Sequence, residues 1–279
     1  MKNQITKVDT KVYDAWQALR SSDLKEFIKS PAHYKWKMDN YEEYQKNMPT
    51  GALILGSYVH CLILEPEKVK DDFTVVNVAS RNTKEYHIAS AIARKEGKSV
   101  LLKKEKDQGD AMAANALSDR NFGFLVEQSF VEVSAIAKLN GTFVKSRADM
   151  WIQDSGHIID IKTTGDDAYW FPTAVKRFGY DISAPLYVDC FSANGEKVKR
   201  YTFAVIEKNP PYGLKLFDMS PEYLEYGRRR YREALGRYIT CNANDYWPCY
   251  NNAPGNVPSL TCDEARGIEL EVANSELDN

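Results

Sequence analysis

Asn140-Gly141 sits between two runs of alternating apolar and polar residues, and it constrains this chain more than any other feature. A two-residue hairpin turn needs positive φ at both central positions, which Asn and Gly tolerate best. Leu139 then faces Thr142, and further out Glu132 falls opposite Asp149. A second turn follows at Gln153-Asp154-Ser155-Gly156. Centred between Asp154 and Ser155, it sets Asp149 opposite Asp160, whereas a three-residue loop with a bulge would shift that register by one. Glu132, Asp149 and Asp160 are thus expected in one row across three neighbouring strands, with opposed Cβ atoms ~5 Å apart.

Like charges placed this way repel, and a bound divalent cation removes the conflict. Carboxylate oxygens with retained waters are the ligands Mg²⁺ prefers. Lys162 lies two residues after Asp160 and shares its face, while Ile159 and Ile161 point the other way. An ammonium there can orient or help deprotonate an attacking water and stabilise charge at phosphorus. The geometry leaves two readings open: a metal site, or solvated acids and a solvated lysine.

Around this centre the pattern is mixed. A capped helix start is read at Ser22-Asp23, and Ser30-Pro31 offers a second N-cap with proline at N1. Residues 41–48 and 52–64 read as helices, 73–78 as a strand, and 83–119 as helical with an interruption near Gly97. The β-rich centre covers 130–163, with helical patterns over 167–191. Strands are expected at 198–207 and 212–219, joined by Asn209-Pro210-Pro211, and a helix at 221–239 carries the stripe Leu224, Tyr231, Leu235, Tyr238. This order indicates an α/β or α+β fold with a helical N-terminal part. The expected division is an arm (1–20), one domain (21–250, mainly helical to 120, then sheet and flanking helices) and a tail (251–279).

The 279 residues carry a net charge of −2, so nucleic-acid binding would rest on local basic patches and metal. The N-terminus lacks the apolar core of a secretory signal, and the longest apolar run is too short to span a bilayer. Five cysteines at irregular spacing, without a Cys-x-x-Cys pair, point to reduced thiols in a cytoplasmic protein. No glycine-rich phosphate loop is present, so ATP-driven activity is not indicated.

Asp149, then Ile159-Asp160-Ile161-Lys162-Thr163-Thr164, resembles the Asp…(Asp/Glu)-x-Lys motif of the PD-(D/E)xK nuclease superfamily. More narrowly, the chain resembles the RecE-like exonucleases, the family of the exodeoxyribonuclease VIII C-terminal domain and related phage enzymes. The matching residues are Ser22-Asp23-Leu24, Ser30-Pro31-Ala32-His33-Tyr34, Gly56-Ser57-Tyr58-Val59-His60, Leu64-Glu65-Pro66-Glu67, Glu132-Val133-Ser134, Gly179-Tyr180, Ala184 through Tyr187, and Trp247-Pro248. They span most of the chain. The resemblance implies a restriction-endonuclease-like core, a central mixed sheet flanked by helices. It implies Mg²⁺, replaceable by Mn²⁺, on Asp149, Asp160, the Ile161 carbonyl and His60. Lys162 would act on the water, with Glu132 as a supporting acid. On its residues alone, His60 would be a hydrogen-bonded core histidine. The implied activity is 5′-to-3′ exonucleolysis from double-stranded DNA ends, by a ring-shaped homo-oligomer (trimer or tetramer) serving a single-strand annealing protein, with no membrane partner.

Lys176, Arg177, Tyr180, Ser183 and Tyr187 are the expected DNA contacts. Ser183 stands where the family usually has glutamine, and Pro185 disturbs a helix interior. Arg228, Arg229, Arg230, Arg232 and Arg237 on the last helix are read first as a solvated face, and otherwise as phosphate or subunit contacts. The alternatives are another PD-(D/E)xK nuclease (an endonuclease, or a CRISPR-adaptation type with an iron–sulfur cluster) or a non-catalytic DNA-binding relative.

Overall fold

The computed structural model describes residues 2–46 and 51–250. The expected tail at 251–279, with Cys262, and the end of the helix read at 41–48 lie outside the described residues. Strands are β1 (Gln4–Lys7), β2 (Phe73–Val76), β3 (Ser99–Leu102), β4 (Phe130–Leu139), β5 (Thr142–Ile152), β6 (His157–Thr164), β7 (Arg200–Glu207) and β8 (Leu214–Asp218). Helices are α1 (Thr10–Ala15), α2 (Ser21–Lys29), α3 (Pro31–Asp39), α4 (Tyr41–Lys46), α5 (Gly51–Leu64), α6 (Val69–Asp72), α7 (Lys84–Glu96), α8 (Lys103–Ser118), α9 (Arg120–Glu127), α10 (Phe171–Arg177), α11 (Tyr180–Ser192) and α12 (Pro221–Asn244).

Six strands form a mixed sheet in the order β1-β4-β5-β6-β7-β8, with β6 and β7 parallel and the other pairs antiparallel. Asn140 and Gly141 both take positive φ, and the hairpin closes on Leu139↔Thr142 as expected. One face of the sheet packs α2, α10, α11 and α12, through Leu24, Phe27, Val175, Leu186 and Leu235 among others. The opposite face packs α5, α8 and α9 against Ile159, Ile161, Ala204 and Ile206. Each such buried side chain contributes ~1.5–3 kcal/mol of transfer free energy. This is the central mixed sheet with flanking helices that was expected.

Four expectations need correction. The arm at 1–20 is part of the sheet, because Gln4–Lys7 pairs with β4. It is also fastened by Lys145, whose buried Nζ donates to the carbonyls of Tyr13, Asp14 and Trp16 at 2.8, 3.1 and 2.8 Å. These carbonyls lie at the C-terminal end of the short helix α1, where a cation is favourably placed. Burial lowers the Lys145 pKa to about 8. Secondly, the helical pattern over 83–119 conceals a strand. Gly97 caps α7 at φ 75°, and Ser99–Leu102 then pairs in parallel with β2.

Thirdly, the arginine cluster is not simply a solvated face. Arg228 and Arg232 pair with Asp189 at 3.0 and 3.3 Å, and Arg230 pairs with the fully buried Asp181. Three arginines therefore clamp α12 onto α11. Fourthly, Pro185 does more than disturb its helix. Lacking an N–H, it leaves the Asp181 carbonyl without its helical donor. Gly227 of α12 fits against that carbonyl so closely that an added Cβ would lie 1.8 Å from the oxygen.

Candidate active site at a fork in the sheet

β5 pairs with β6 only from Ile152↔His157 to Met150↔Ile159, whereas β6 stays paired with β7 through Thr164. Beyond Met150 the two strands part, and the β6 edge from Asp160 onward loses its β5 partner. The Ile161 N–H, left without a carbonyl opposite, donates to Asp149 Oδ2 at 2.7 Å. A carboxylate thus fills the notch of the fork.

The β4–β5 hairpin twists at the same level. Val133, Ala135, Ala137, Val144 and Ala148 belong to the layer under α11, while Val131, Met150 and Ile152 belong to the layer under α5. The alternation therefore reverses at Glu132 and Asp149. Glu132 takes φ 55°, a left-handed conformation costing ~1–3 kcal/mol in a non-glycine residue. The pairs Val131↔Met150 and Val133↔Ala148 bracket it, so the expected register holds, although Glu132 and Asp149 form no ladder pair themselves. Likewise, Asp149 and Asp160 stand one step past the last β5–β6 pair.

Asp160 is 4% exposed, and Lys162 Nζ pairs with it while also donating to the Ile161 carbonyl at 3.1 Å. His60 reaches in from α5, with Nδ1 3.6 Å from Asp149 Oδ2. Glu132 Oε2 lies 3.7 Å from Arg147. Tyr180 offers its ring to two ammonium groups, Lys162 at 5.3 Å and Lys25 at 5.1 Å.

The electrostatics are conflicted. Burial, then the charge of Asp160, holds the Asp149 pKa well above the usual carboxylate range. Burial also raises Glu132, with Arg147 opposing. Burial works to lower Lys162, but Asp160 and Asp149 outweigh it, so its ammonium form is favoured. Burial and the Lys162 charge push His60 down to about 4, so its imidazole is neutral at pH 7. The Tyr201 hydroxyl, on β7, is buried against this cluster and faces Asp160.

Among the described residues no three His, Cys, Asp or Glu side chains converge as a ready metal cage. The oxygen donors are two carboxylates and the Ile161 carbonyl, with Lys162 lying across them. Two carboxylates suffice for Mg²⁺, which keeps several waters. The buried like-charged pair also fits a hydrated cation.

The structure places Glu132, Asp149, Asp160, Ile161, Lys162, His60 and Tyr180 around the fork. Lys176 and Arg177 are exposed at the end of α10. Ser183 is 5% exposed and so is closed to a substrate, whereas Tyr187 is half-buried near Ser21. Lys25 was not anticipated. It follows Leu24 on the buried stripe of α2, and only the tertiary packing brings it to Tyr180.

The sequence matches the family model described as "PDDEXK-like domain of unknown function (DUF3799)" over residues 20–254. The chain belongs to this family. The match covers the fork and both helical layers, so Asp149 and Asp160-x-Lys162 stand in a PD-(D/E)xK fold. A protein from Eubacterium rectale named "putative exonuclease" is similar in structure, with a TM-score of 0.63 and 17% identity over 92% of this chain and 95% of that one. At that identity the likeness is one of fold. A phage-related exonuclease from Haemophilus somnus 129PT gives a TM-score of 0.31 at 12% identity, over 84% of this chain and 99% of that one. No curated protein matches the sequence significantly. No helix among the described residues is long and apolar enough to cross a membrane.

Proposed function

We propose that this DUF3799 protein is a Mg²⁺-dependent exodeoxyribonuclease acting 5′-to-3′ on the ends of linear double-stranded DNA. The observation that carries the reading is the buried Asp149–Asp160–Lys162 cluster at the fork, conflicted in charge until a cation joins it. Polarity, end preference, a ring-shaped oligomer, a cytoplasmic setting in a phage or prophage context and a single-strand annealing partner rest on the RecE-like resemblance alone.

Asp149, Asp160 and the Ile161 carbonyl would hold Mg²⁺, or Mn²⁺ in its place, with neutral His60 alongside. When bound, the cation neutralises charge on the phosphodiester and acidifies water. Lys162, kept protonated by its two acids, holds the attacking water and donates to the phosphoryl oxygens as negative charge develops. Proton abstraction by Lys162 is disfavoured for the same reason. Tyr180 limits the swing of that ammonium by covering it. Glu132, held by Arg147, adds negative potential behind Asp149. Lys176 and Arg177 contact backbone phosphates away from the reacting bond.

The test is digestion of end-labelled linear duplex and of covalently closed circles, with and without Mg²⁺. Loss of the linear substrate only, dependent on Mg²⁺ and absent in Asp160→Asn, is expected. Degradation of circles would overturn the exonuclease reading. Unchanged activity in Asp160→Asn would overturn the site, and no hydrolysis of either substrate would favour a binding role.

A further inference from the structure

The N-terminal arm is fastened to the sheet at several points. Its strand β1 pairs with β4 from Gln4↔Ile136 to Lys7↔Val133, and Lys145 holds the carbonyls of Tyr13, Asp14 and Trp16. Asn3 adds a further fastening, donating to the Ala193 carbonyl at 3.2 Å and accepting from the Lys138 N–H at 2.9 Å. Beyond these, the arm places three side chains, Lys7, Thr10 and Tyr13, on charged groups beside the fork. Thr10 Oγ1 accepts from Arg147 Nη1 at 3.0 Å, and the Arg147 guanidinium lies 4.2 Å from the centre of the Tyr13 ring. Lys7 Nζ pairs with Glu65 at 2.7 Å.

Arg147 lies two residues before Asp149 on β5, and its ladder partner Ser134 lies two residues after Glu132 on β4. Its Nε donates to Ser134 Oγ at 3.0 Å, which fixes one edge of the guanidinium. Nη1 then has Thr10 Oγ1 on one side and Glu132 Oε2, at 3.7 Å, on the other. A contact of that length is too weak to hold the plane. Thr10 and Tyr13 therefore complete its orientation, one by a hydrogen bond and the other by ring stacking, both of which suit a planar guanidinium. The Tyr13 ring is buried and is itself held, with Arg20 at 5.7 Å and Lys145 at 4.9 Å. Glu132 needs a well-placed partner. Its backbone is left-handed, and burial and Glu65 oppose its ionisation while Arg147, Lys68 and Lys7 favour it.

We propose that Arg147 is a positioning residue whose guanidinium is set by Thr10 and Tyr13 of the N-terminal arm, and that it in turn sets Glu132 behind Asp149. The fork is then complete only with the arm in place. The bearing on catalysis rests on the fork being the nuclease site, whereas the chain Thr10–Arg147–Glu132 stands apart from that reading.

The first measurement needs neither divalent cation nor DNA. Urea unfolding of Thr10→Val, Glu132→Gln and the double variant closes a thermodynamic cycle. The unfolding constant of the double variant should depart by about threefold or more from the product of the single effects, and a smaller departure would overturn the proposal. Tyr13→Leu in place of Thr10→Val should show the same coupling. The second measurement is steady-state hydrolysis of end-labelled linear duplex in Mg²⁺. Thr10→Val should lower kcat about three- to tenfold with KM for the duplex unchanged. Thr10→Ser keeps the acceptor oxygen and should restore kcat. Asn3→Ala loosens the arm without touching Arg147 and should leave kcat unchanged. A loss in Thr10→Ser or Asn3→Ala equal to that in Thr10→Val would reduce the arm to a brace and overturn the proposal, as would a rise in KM alone. Intact coupling in a wild type that hydrolyses no DNA would support the chain through Arg147 and overturn the nuclease reading instead.

Discussion

The two ends of β6 bury polar groups in opposite ways. At its start, His157 is 4% exposed and its Nε2 lies 2.6 Å from Thr202 Oγ1. Thr202 gives its single proton to Asp218, and Arg200 grips Asp218 through two nitrogens at 2.8–3.0 Å. The imidazole must therefore donate from Nε2, and every group in the chain has a partner. Three and five residues further along the same strand, Asp160 and Lys162 share a fork with Asp149, where carboxylates are crowded and the Tyr201 hydroxyl is buried against Asp160. Both ends hold a histidine that burial pushes to about 4. Burial alone thus does not mark a functional site. The closed network spends its polarity inside the sheet, while the fork keeps donors and like charges for something from outside.

The comparison can be broken or sharpened in order of effect. Lys162→Met should slow Mg²⁺-dependent hydrolysis of linear duplex by about 10²–10³-fold, the usual effect of losing one preorganised donor. Thr202→Val should leave that rate near wild type. Equal rate losses in the two variants would erase the distinction between the ends.

Stability should show the reverse. Thr202→Val strands the His157 N–H and removes a donor from Asp218, costing ~2–3 kcal/mol in urea unfolding. Asp149→Asn keeps an oxygen for the Ile161 N–H but removes the strained charge. At pH 7 without divalent cation it should stabilise by ~1–2 kcal/mol, and a loss of that size would mean that the fork is not in conflict.

The smallest effect is in pH dependence. His157 titrates near 4 in the folded protein and near 6.5 unfolded. Its contribution is complete above pH ~6.5 and is lost as pH falls toward 4, with a slope of up to ~1.4 kcal/mol per unit. His157→Gln should flatten that acid limb, measured as the stability difference between pH 7 and pH 5. His60→Gln should flatten it too, because burial shifts His60 the same way. The raised Asp149 has the opposite sign and gains stability as pH falls.

The fork was readable where short-range chemistry governs it. Asn140-Gly141 fixes the hairpin, period-two alternation places Lys162 beside Asp160, and the family motif selects Asp149. What stayed hidden depends on contacts distant in sequence. Nothing local marks Lys25 as the second ammonium on Tyr180, or Lys145 as the anchor of α1. The arginines of α12 look solvated until Asp181 and Asp189 are placed opposite them. Glu132 was placed in the correct row, but its left-handed backbone was not foreseen. That turn comes from the reversal of sheet faces, which strict alternation cannot express. The strand Ser99–Leu102 was hidden because its partner, β2, lies on the far side of α7 in sequence.

The central claim is that Asp149 and Asp160 hold a conflict which a divalent cation resolves. The direct measurement is the urea unfolding midpoint as Mg²⁺ is raised, for wild type and Asp149→Asn in parallel. Wild type should gain stability logarithmically once the cation exceeds its dissociation constant, and Asp149→Asn should gain far less, so the variant's initial advantage shrinks or reverses. Identical responses of the two proteins, or no response in either, would contradict the account.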